Sequence, residues 1–204
     1  MQTDEQDLKD RVQRAQANQT TLQQIATHVS AILTLVGEDL ERDGIRETPD
    51  RVARMYLGEL LVGYRADPAL IVKAFDNDGY SQVVAVKDIP FYSLCEHHML
   101  PFKGMAHIGY LPDGRVLGLS KFARIVDAIS ARLQIQERMT KEIADTIQEG
   151  LKPKGVMVVV EAEHLCMTMR GVQKPNSMMV TSMVTGVFKE DASTKDEFLR
   201  LIGR

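Results

Sequence analysis

The sequence is poor in cysteine, with only two in 204 residues. A disulfide-built scaffold is thereby excluded. At most one bridge, Cys95–Cys166, could form, and it would need an oxidising compartment. No apolar run approaches the roughly 20 residues of a membrane span, so no spanning helix and no membrane partner is expected. Net charge is only −3. No overall excess of positive charge points to nucleic acid, and an anionic substrate would need a local basic patch. The first residues are acidic and Gln-rich, unlike a signal or transit peptide. Internal repeats and low-complexity segments are lacking as well. These absences place the expected protein in a reducing, cytoplasmic setting.

What is present is ordinary in bulk, 44% hydrophobic and 26% charged, and fits one domain plus an appendage. Residues 1–30 read as a polar helix with a thin stripe of Leu8, Val12, Ala15, Leu22, Ile25, Ala26 and Val29. Alone it would be marginal, so it is expected to pack on something else. Thr48-Pro49-Asp50 starts a helix, with Thr48 as cap. Arg51 and Arg54 share a face there, away from Val52, Met55, Tyr56 and Leu60. The plain reading of both is solvated surface charge. The pattern changes at Ser81, so the sequence divides into a helical region over 1–80 and a second region over 81–204.

Val83-Val84-Ala85-Val86 is strand-like, and Pro90 is expected to disrupt its continuation. Gly104 to Leu111 alternates, with Ala106, Ile108 and Tyr110 opposed to Met105, His107 and Gly109. Pro112-Asp113-Gly114 reads as the turn of a hairpin into Val116–Leu119. Phe122, Ile125, Val126, Ile129 and Leu133 form the stripe of a helix from Ser120. A second helix is predicted from about Thr140, with Ile143, Ile147 and Leu151 inward and Pro153 as its stop. A long strand over Val156–Arg170 and a last strand over Met178–Phe188 follow, and Asp196–Ile202 reads as a terminal helix. The order of the main part is strand, strand, helix, helix, strand, strand: an α+β arrangement.

One stretch concentrates chemistry: Ser93-Leu94-Cys95-Glu96-His97-His98-Met99-Leu100-Pro101-Phe102. Cys95 and His98 have the Cys-x-x-His spacing that closes a loop on one metal. Cys166 lies far off in Glu163-His164-Leu165-Cys166, again near a histidine. Two Cys and one His would leave zinc a fourth position for water, as in a catalytic site. Spacing does not decide which His binds. On a strand, His164, Cys166, Thr168 and Arg170 would share one face, with Leu165, Met167 and Met169 opposite in the core. A polar face of that kind suits a cleft holding a metal and an anion. His97 and His164 adjoin ligands and suit proton transfer. His107 reads as structural or supporting. Ser120, Lys121 and Arg124 open a helix whose N–H groups attract anions; with Arg170 they would make a phosphate pocket. Gln136-Glu137 lies at a helix junction. The plain reading is a cap or surface charge; the sharper one is a carboxylate accepting the adjacent N–H groups of guanine.

These pieces resemble the GTP cyclohydrolase I family. The matching segments are Thr48-Pro49-x-Arg51-Val52-Ala53, the Ser93–Phe102 stretch, Ser120-Lys121 through Arg124, Gln136-Glu137-Arg138, and Glu163-His164-x-Cys166 to Arg170-Gly171. The resemblance implies the tunnelling fold, with two helices on one face of an antiparallel sheet, after an N-terminal helical region. It implies a homodecamer with sites at subunit interfaces, GTP as substrate and zinc as cofactor. By similarity Cys95, His98 and Cys166 hold zinc, and His97 and His164 are the acid–base pair. Glu137, helped by Gln136, anchors guanine. Ser120, Lys121, Arg124 and Arg170 meet the triphosphate, with Arg51 and Arg54 adding contacts from a neighbouring subunit. The implied reaction opens the imidazole ring at C8, releases formate, rearranges the ribose and yields 7,8-dihydroneopterin triphosphate. A zinc base deaminase is the rival, but its His-x-Glu and Pro-Cys-x-x-Cys are missing. A different pterin or deazaguanine enzyme of the same fold, and a nucleotide-binding structural zinc protein, are the others.

Overall fold

The computed structural model describes residues 2–204, with side chains described from Asn18 onward. The predicted contacts of Leu8, Val12 and Ala15 therefore lie outside the described side chains. The chain divides into two compact units, Met1–Leu61 and Val62–Arg204.

In the first unit, helix α1 (Gln2–Leu35) packs on α2 (Thr48–Met55). Ala26 and Ala53 are buried. The small side chains let the two helices approach. Thr48 does not cap α2; Glu47 occupies that position without a side-chain bond. Thr48 Oγ1 instead accepts from Arg51 Nη2 at 3.3 Å. Arg51 also donates to Glu47 Oε2 at 2.9 Å and to Gly44 O at 3.2 Å.

The second unit begins with helical turns at Val62–Arg65 and Pro68–Ile71. Strand β1 (Ala74–Asp76) and strands β2 (Val84–Cys95), β3 (Pro101–Leu111) and β4 (Arg115–Leu117) follow. Next come α3 (Leu119–Ser130), β5 (Leu133–Gln134), α4 (Gln136–Leu151) and β6 (Gly155–His164). The chain ends with α5 (Leu165–Thr168), β7 (Met178–Val184), α6 (Val187–Glu190) and α7 (Ala192–Ile202). Five strands form one sheet in the order β5-β2-β3-β6-β7; β4 pairs with β1 in place of the expected hairpin, because β2 and β6 occupy both sides of β3. All pairs in the sheet are antiparallel except the short β2–β5 contact.

Period two divides the sheet as the sequence predicts. Ala106, Ile108 and Tyr110 of β3 join Val156, Val158, Val160 and Ala162 of β6 in one core. Phe122, Ile125, Val126 and Ile129 of α3 and Met139, Ile143 and Ile147 of α4 cover that face. Met157 and Val159 face the other way, onto Phe188, Phe198 and Ile202.

Several expected boundaries move, each for a local reason. Pro90 does not stop β2: it pairs opposite Met105, and the irregularity falls between Val86 and Ile89. β5 touches β2 only at Leu94 and Cys95. Pro90 therefore lies on an edge stretch where no N–H is required. Helix α4 starts at Gln136, not near Thr140. Gln136 and Thr140 are polar yet buried, so they interrupt the apolar pattern without interrupting the helix. Leu133 leaves the α3 stripe for β5. The predicted long strand ends at His164, and Leu165–Thr168 form a helical turn. Its β3 partner there is Phe102, preceded by Pro101, which has no N–H for a further rung. Met167 and Met169 are consequently exposed, at 40% and 58%, and do not enter the core.

Candidate active site

The ends of β2 and β6 and the starts of β3, β7 and α4 all meet at one end of the sheet. Cys95 is the last residue of β2, and its N–H donates to Leu100 O at 2.8 Å. Glu96 N–H donates to Gln134 O of β5 at 3.0 Å, and Met99 N–H to Cys95 O at 2.8 Å. Met99 sits at φ 55°. This tight turn projects His97 and His98 away from the sheet. Across β3, the helical turn α5 brings in Cys166. The donor atoms of Cys95, His98 and Cys166 lie within 4.8 Å of one another. The sequence places Cys166 on an extended strand face; the structure delivers it through a turn to the same thiol.

These three groups line a cavity of about 650 Å³ with His97, Gln136, Glu137, His164 and Arg170. Burial, and then the neighbouring Cys95 thiol, push the Cys166 thiol above its ordinary value. Arg170 Nη1 stands 2.9 Å from His98 Nε2. His97 is exposed and loosely held: its Nδ1 lies 3.8 Å from Cys95 Sγ. His164 is held firmly. Its ring stacks on Phe102, its cross-strand partner, with centroids 4.5 Å apart and 4° between planes. Its Nε2 is 2.8 Å from Gln136 Oε1. Burial lowers the His164 pKa, and the Glu137 carboxylate opposes that shift.

Glu137 is exposed on the first turn of α4, where a carboxylate is favoured by the free N–H groups. Gln136 beside it is only 1% exposed. Its amide is occupied inside the protein, donating to Val160 O at 2.9 Å and Met179 O at 3.0 Å.

Two residues of the quoted motifs have partners that their sequence positions do not announce. Arg138 Nη2 donates to Glu96 Oε2 at 2.5 Å, and its Nε donates to Gln134 Oε1 at 2.8 Å. This ties the Cys95–His98 turn to α4 and holds the Glu96 carboxyl below the ordinary carboxylate range. Phe102 is the other, through its stack on His164. The stack depends on cross-strand register and the Arg138–Glu96 bond on the packing of α4 against the turn, neither of which has a sequence signal.

Other expected residues lie elsewhere. Ser120, Lys121 and Arg124 do not line the cavity. They sit at the start of α3, which follows the far end of β3. The 12 residues of α3 put about 18 Å of helix between its start and the return toward Cys95. Within one chain the basic helix start and Arg170 do not form one pocket. Ser120 does not cap α3 either; Gly118 holds that position. His107 is buried on the other sheet face, where its Nδ1 accepts from Asp88 N–H at 3.2 Å.

The model of the GTP cyclohydrolase I family matches residues 25–203. A protein of Caldanaerobacter subterraneus subsp. tengcongensis named GTP cyclohydrolase 1 is 55% identical over 181 residues, covering 88% of this chain and 96% of that one. Its namesake in Thermoanaerobacter pseudethanolicus is 54% identical over 181 residues, with the same coverage of 88% and 96%. The Bacteroides thetaiotaomicron protein of that name is 54% identical over 182 residues, covering 89% of this chain and 92% of that one. Among solved structures, the archaeosine synthase QueF-Like in the apo form overlaps 52% of this chain and 96% of its own. At 18% identity and a TM-score of 0.45, that likeness is too slight to carry weight. A family match over nearly the whole second unit, with relatives above half identity along most of their length, leaves one conclusion: the chain belongs to the GTP cyclohydrolase I family.

Proposed function

We propose that this enzyme hydrolyses and rearranges GTP to 7,8-dihydroneopterin triphosphate and formate, the first step of pterin biosynthesis. The observation that carries the reading is the convergence of Cys95, His98 and Cys166 within 4.8 Å, in the wall of a cavity shared with His97, His164 and Glu137. Two sulfurs and one imidazole nitrogen are the donors zinc prefers, and three ligands leave a position open. Bound there, zinc would supply Lewis acidity that makes water nucleophilic near neutral pH.

The protein's own groups supply the rest. Glu137 accepts N1–H and N2–H of guanine through its two carboxylate oxygens. His97, exposed at the mouth, delivers a proton to N7 as C8 is attacked. His164, stacked and hydrogen-bonded, moves protons after the ring opens. Arg170 reaches the phosphates from the cavity wall. The phosphates survive, so these contacts position the substrate and do not cleave it.

Ser120, Lys121 and Arg124 serve the triphosphate from a second copy of the chain, because in one chain they stand a helix length from the cavity. Arg51 and Arg54 add contacts from a neighbouring subunit. The tunnelling fold and its homodecamer follow from this reading. Among the described residues β7 has no strand on its outer side and β2 has one only at its last two residues, so both edges stand ready to pair with another copy. The reading includes no nucleic-acid or membrane partner; among the described residues no helix is long and apolar enough to cross a membrane. The free thiols of Cys95 and Cys166 suit a reducing, cytoplasmic location.

Incubation of the protein with GTP tests the proposal. Formate and a new pterin absorbance should appear together, and a chelator should abolish both. Pterin formation without formate, or neither product from metal-loaded protein, would overturn it.

A further inference from the structure

Gln136 stands in a guanine-facing segment, yet its amide nitrogen is wholly engaged inside the protein. Its Nε2 lies 2.9 Å from Val160 O, 3.0 Å from Met179 O and 3.1 Å from Thr181 Oγ1. Its Oε1 lies 2.8 Å from His164 Nε2. Main-chain carbonyls only accept, so the amide nitrogen must face them. A flipped amide would set oxygen against two carbonyl oxygens in a buried place. The amide oxygen is thereby fixed toward His164. An amide oxygen also only accepts, so the hydrogen of this bond belongs to the imidazole.

We infer that Gln136 is a positioning residue for His164: it holds the ring proton on Nε2 and leaves Nδ1 as the lone-pair nitrogen for the substrate. Phe102 fixes the plane of the same ring by its parallel stack. Together they hold the plane of the ring and favour one tautomer. Gln136 accepts from Nε2–H and neither gives nor takes a proton. His97 is held more loosely: its Nδ1 stands 3.8 Å from Cys95 Sγ and its Nε2 3.9 Å from the Glu96 carboxylate. The two histidines therefore differ in kind: one is an adaptable group at the mouth, the other a fixed single-nitrogen exchanger.

This reassigns Gln136 from guanine contact to ring orientation, while Glu137 keeps the base. The neighbours alternate because α4 turns about 100° per residue. One side chain goes into the core against β6 and β7, and the next goes outward. The role of the oriented ring rests on the proposed proton transfer by His164, but the tautomer itself does not.

The test uses the metal-loaded full chain labelled with ¹⁵N-histidine. Magic-angle-spinning NMR reads the ring nitrogens at a pH where His164 is neutral, with assignment by loss of its signals in His164→Asn. The expected result is a protonated Nε2 and a bare Nδ1. A proton on Nδ1, or an even mixture of tautomers, would overturn the inference. Kinetics of Gln136→Met give a second reading. Removing a neutral hydrogen bond that selects one tautomer should lower kcat about tenfold. KM for GTP should stay within about twofold, and both tautomers should appear in the spectrum. A raised KM with kcat intact would return the Gln136 side chain to guanine binding and refute the proposal. Should Gln136→Met fail to assemble, the wild-type spectrum alone decides. Full activity in His164→Asn would remove the acid–base reading while leaving the tautomer result standing, so the two failures are distinguishable.

Discussion

Replacing Glu137 by Gln isolates recognition of the base. The residue is exposed on the first turn of α4, so its carboxylate supports no buried network and the thermal midpoint should not move. The change keeps the side chain's length and turns one acceptor into a donor. That donor would face an N–H of guanine and leave both unpaired. Such a mismatch costs about 1–3 kcal/mol, or roughly 5-fold to 150-fold in kcat/KM. A second effect accompanies it. The Glu137 carboxylate favours the charged form of His164 against burial, so Glu137→Gln also makes that ring harder to protonate. Comparing GTP with inosine triphosphate separates the two effects, because the latter lacks the N2 amino group. Wild-type enzyme should favour GTP, since inosine leaves one carboxylate oxygen without a donor. In Glu137→Gln that preference should shrink, whereas the His164 effect is common to both nucleotides. Steady-state formate release with each substrate gives the four numbers required. Unchanged kcat/KM for GTP would refute the anchor, and an equal fall for both nucleotides would show that the carboxylate does not read N2.

Cys166→Ala should lose most of its zinc by metal analysis, since only two of the three converging donors remain; full occupancy would remove Cys166 from the ligand set. His97→Ala and His164→Ala should keep zinc and assembly while turnover drops about 10²–10⁴-fold. Product analysis should show only GTP for His97→Ala and an opened formamide, GTP plus one water, for His164→Ala; zinc loss in His97→Ala would mean that His97 is a ligand. Burial holds the His107 pKa below its ordinary 6.5 despite the nearby Glu161 and Asp88 carboxylates, with Arg204 and Lys87 acting in the same direction as burial. The unfolded chain then binds the extra proton first, so the stability His107 contributes is full above about 6.5 and declines as pH falls through the lower folded value. His107→Gln should flatten that acid limb of the thermal midpoint, and an identical pH slope in both proteins would exclude His107 as its source.

The sequence by itself determined a great deal here. Alternation in Gly104–Leu111 sorted Ala106, Ile108 and Tyr110 onto one face, because a strand repeats every two residues whatever surrounds it. The apolar stripe of α3 did the same at a period of 3.6. The two cysteines also stood out in a chain with so few, each with a histidine neighbour, but which histidine joins them was not legible from spacing and was implied only by the family resemblance. The tertiary structure decided the rest. Whether Cys166 arrives on a strand or a turn depends on where the β3 ladder stops, which Pro101 settles from across the sheet. The start of α4 was hidden because Gln136 and Thr140 are polar residues whose hydrogen bonds are made with β6 and β7, remote in sequence. The stack of Phe102 on His164 follows from strand register, and register is a property of two segments together. The distance between Ser120 and the cavity follows from the length and direction of α3. Local periodicity is fixed by the geometry of one backbone segment, so it can be read from one. Partners across the sheet are fixed by packing between segments, and no single stretch of sequence contains them.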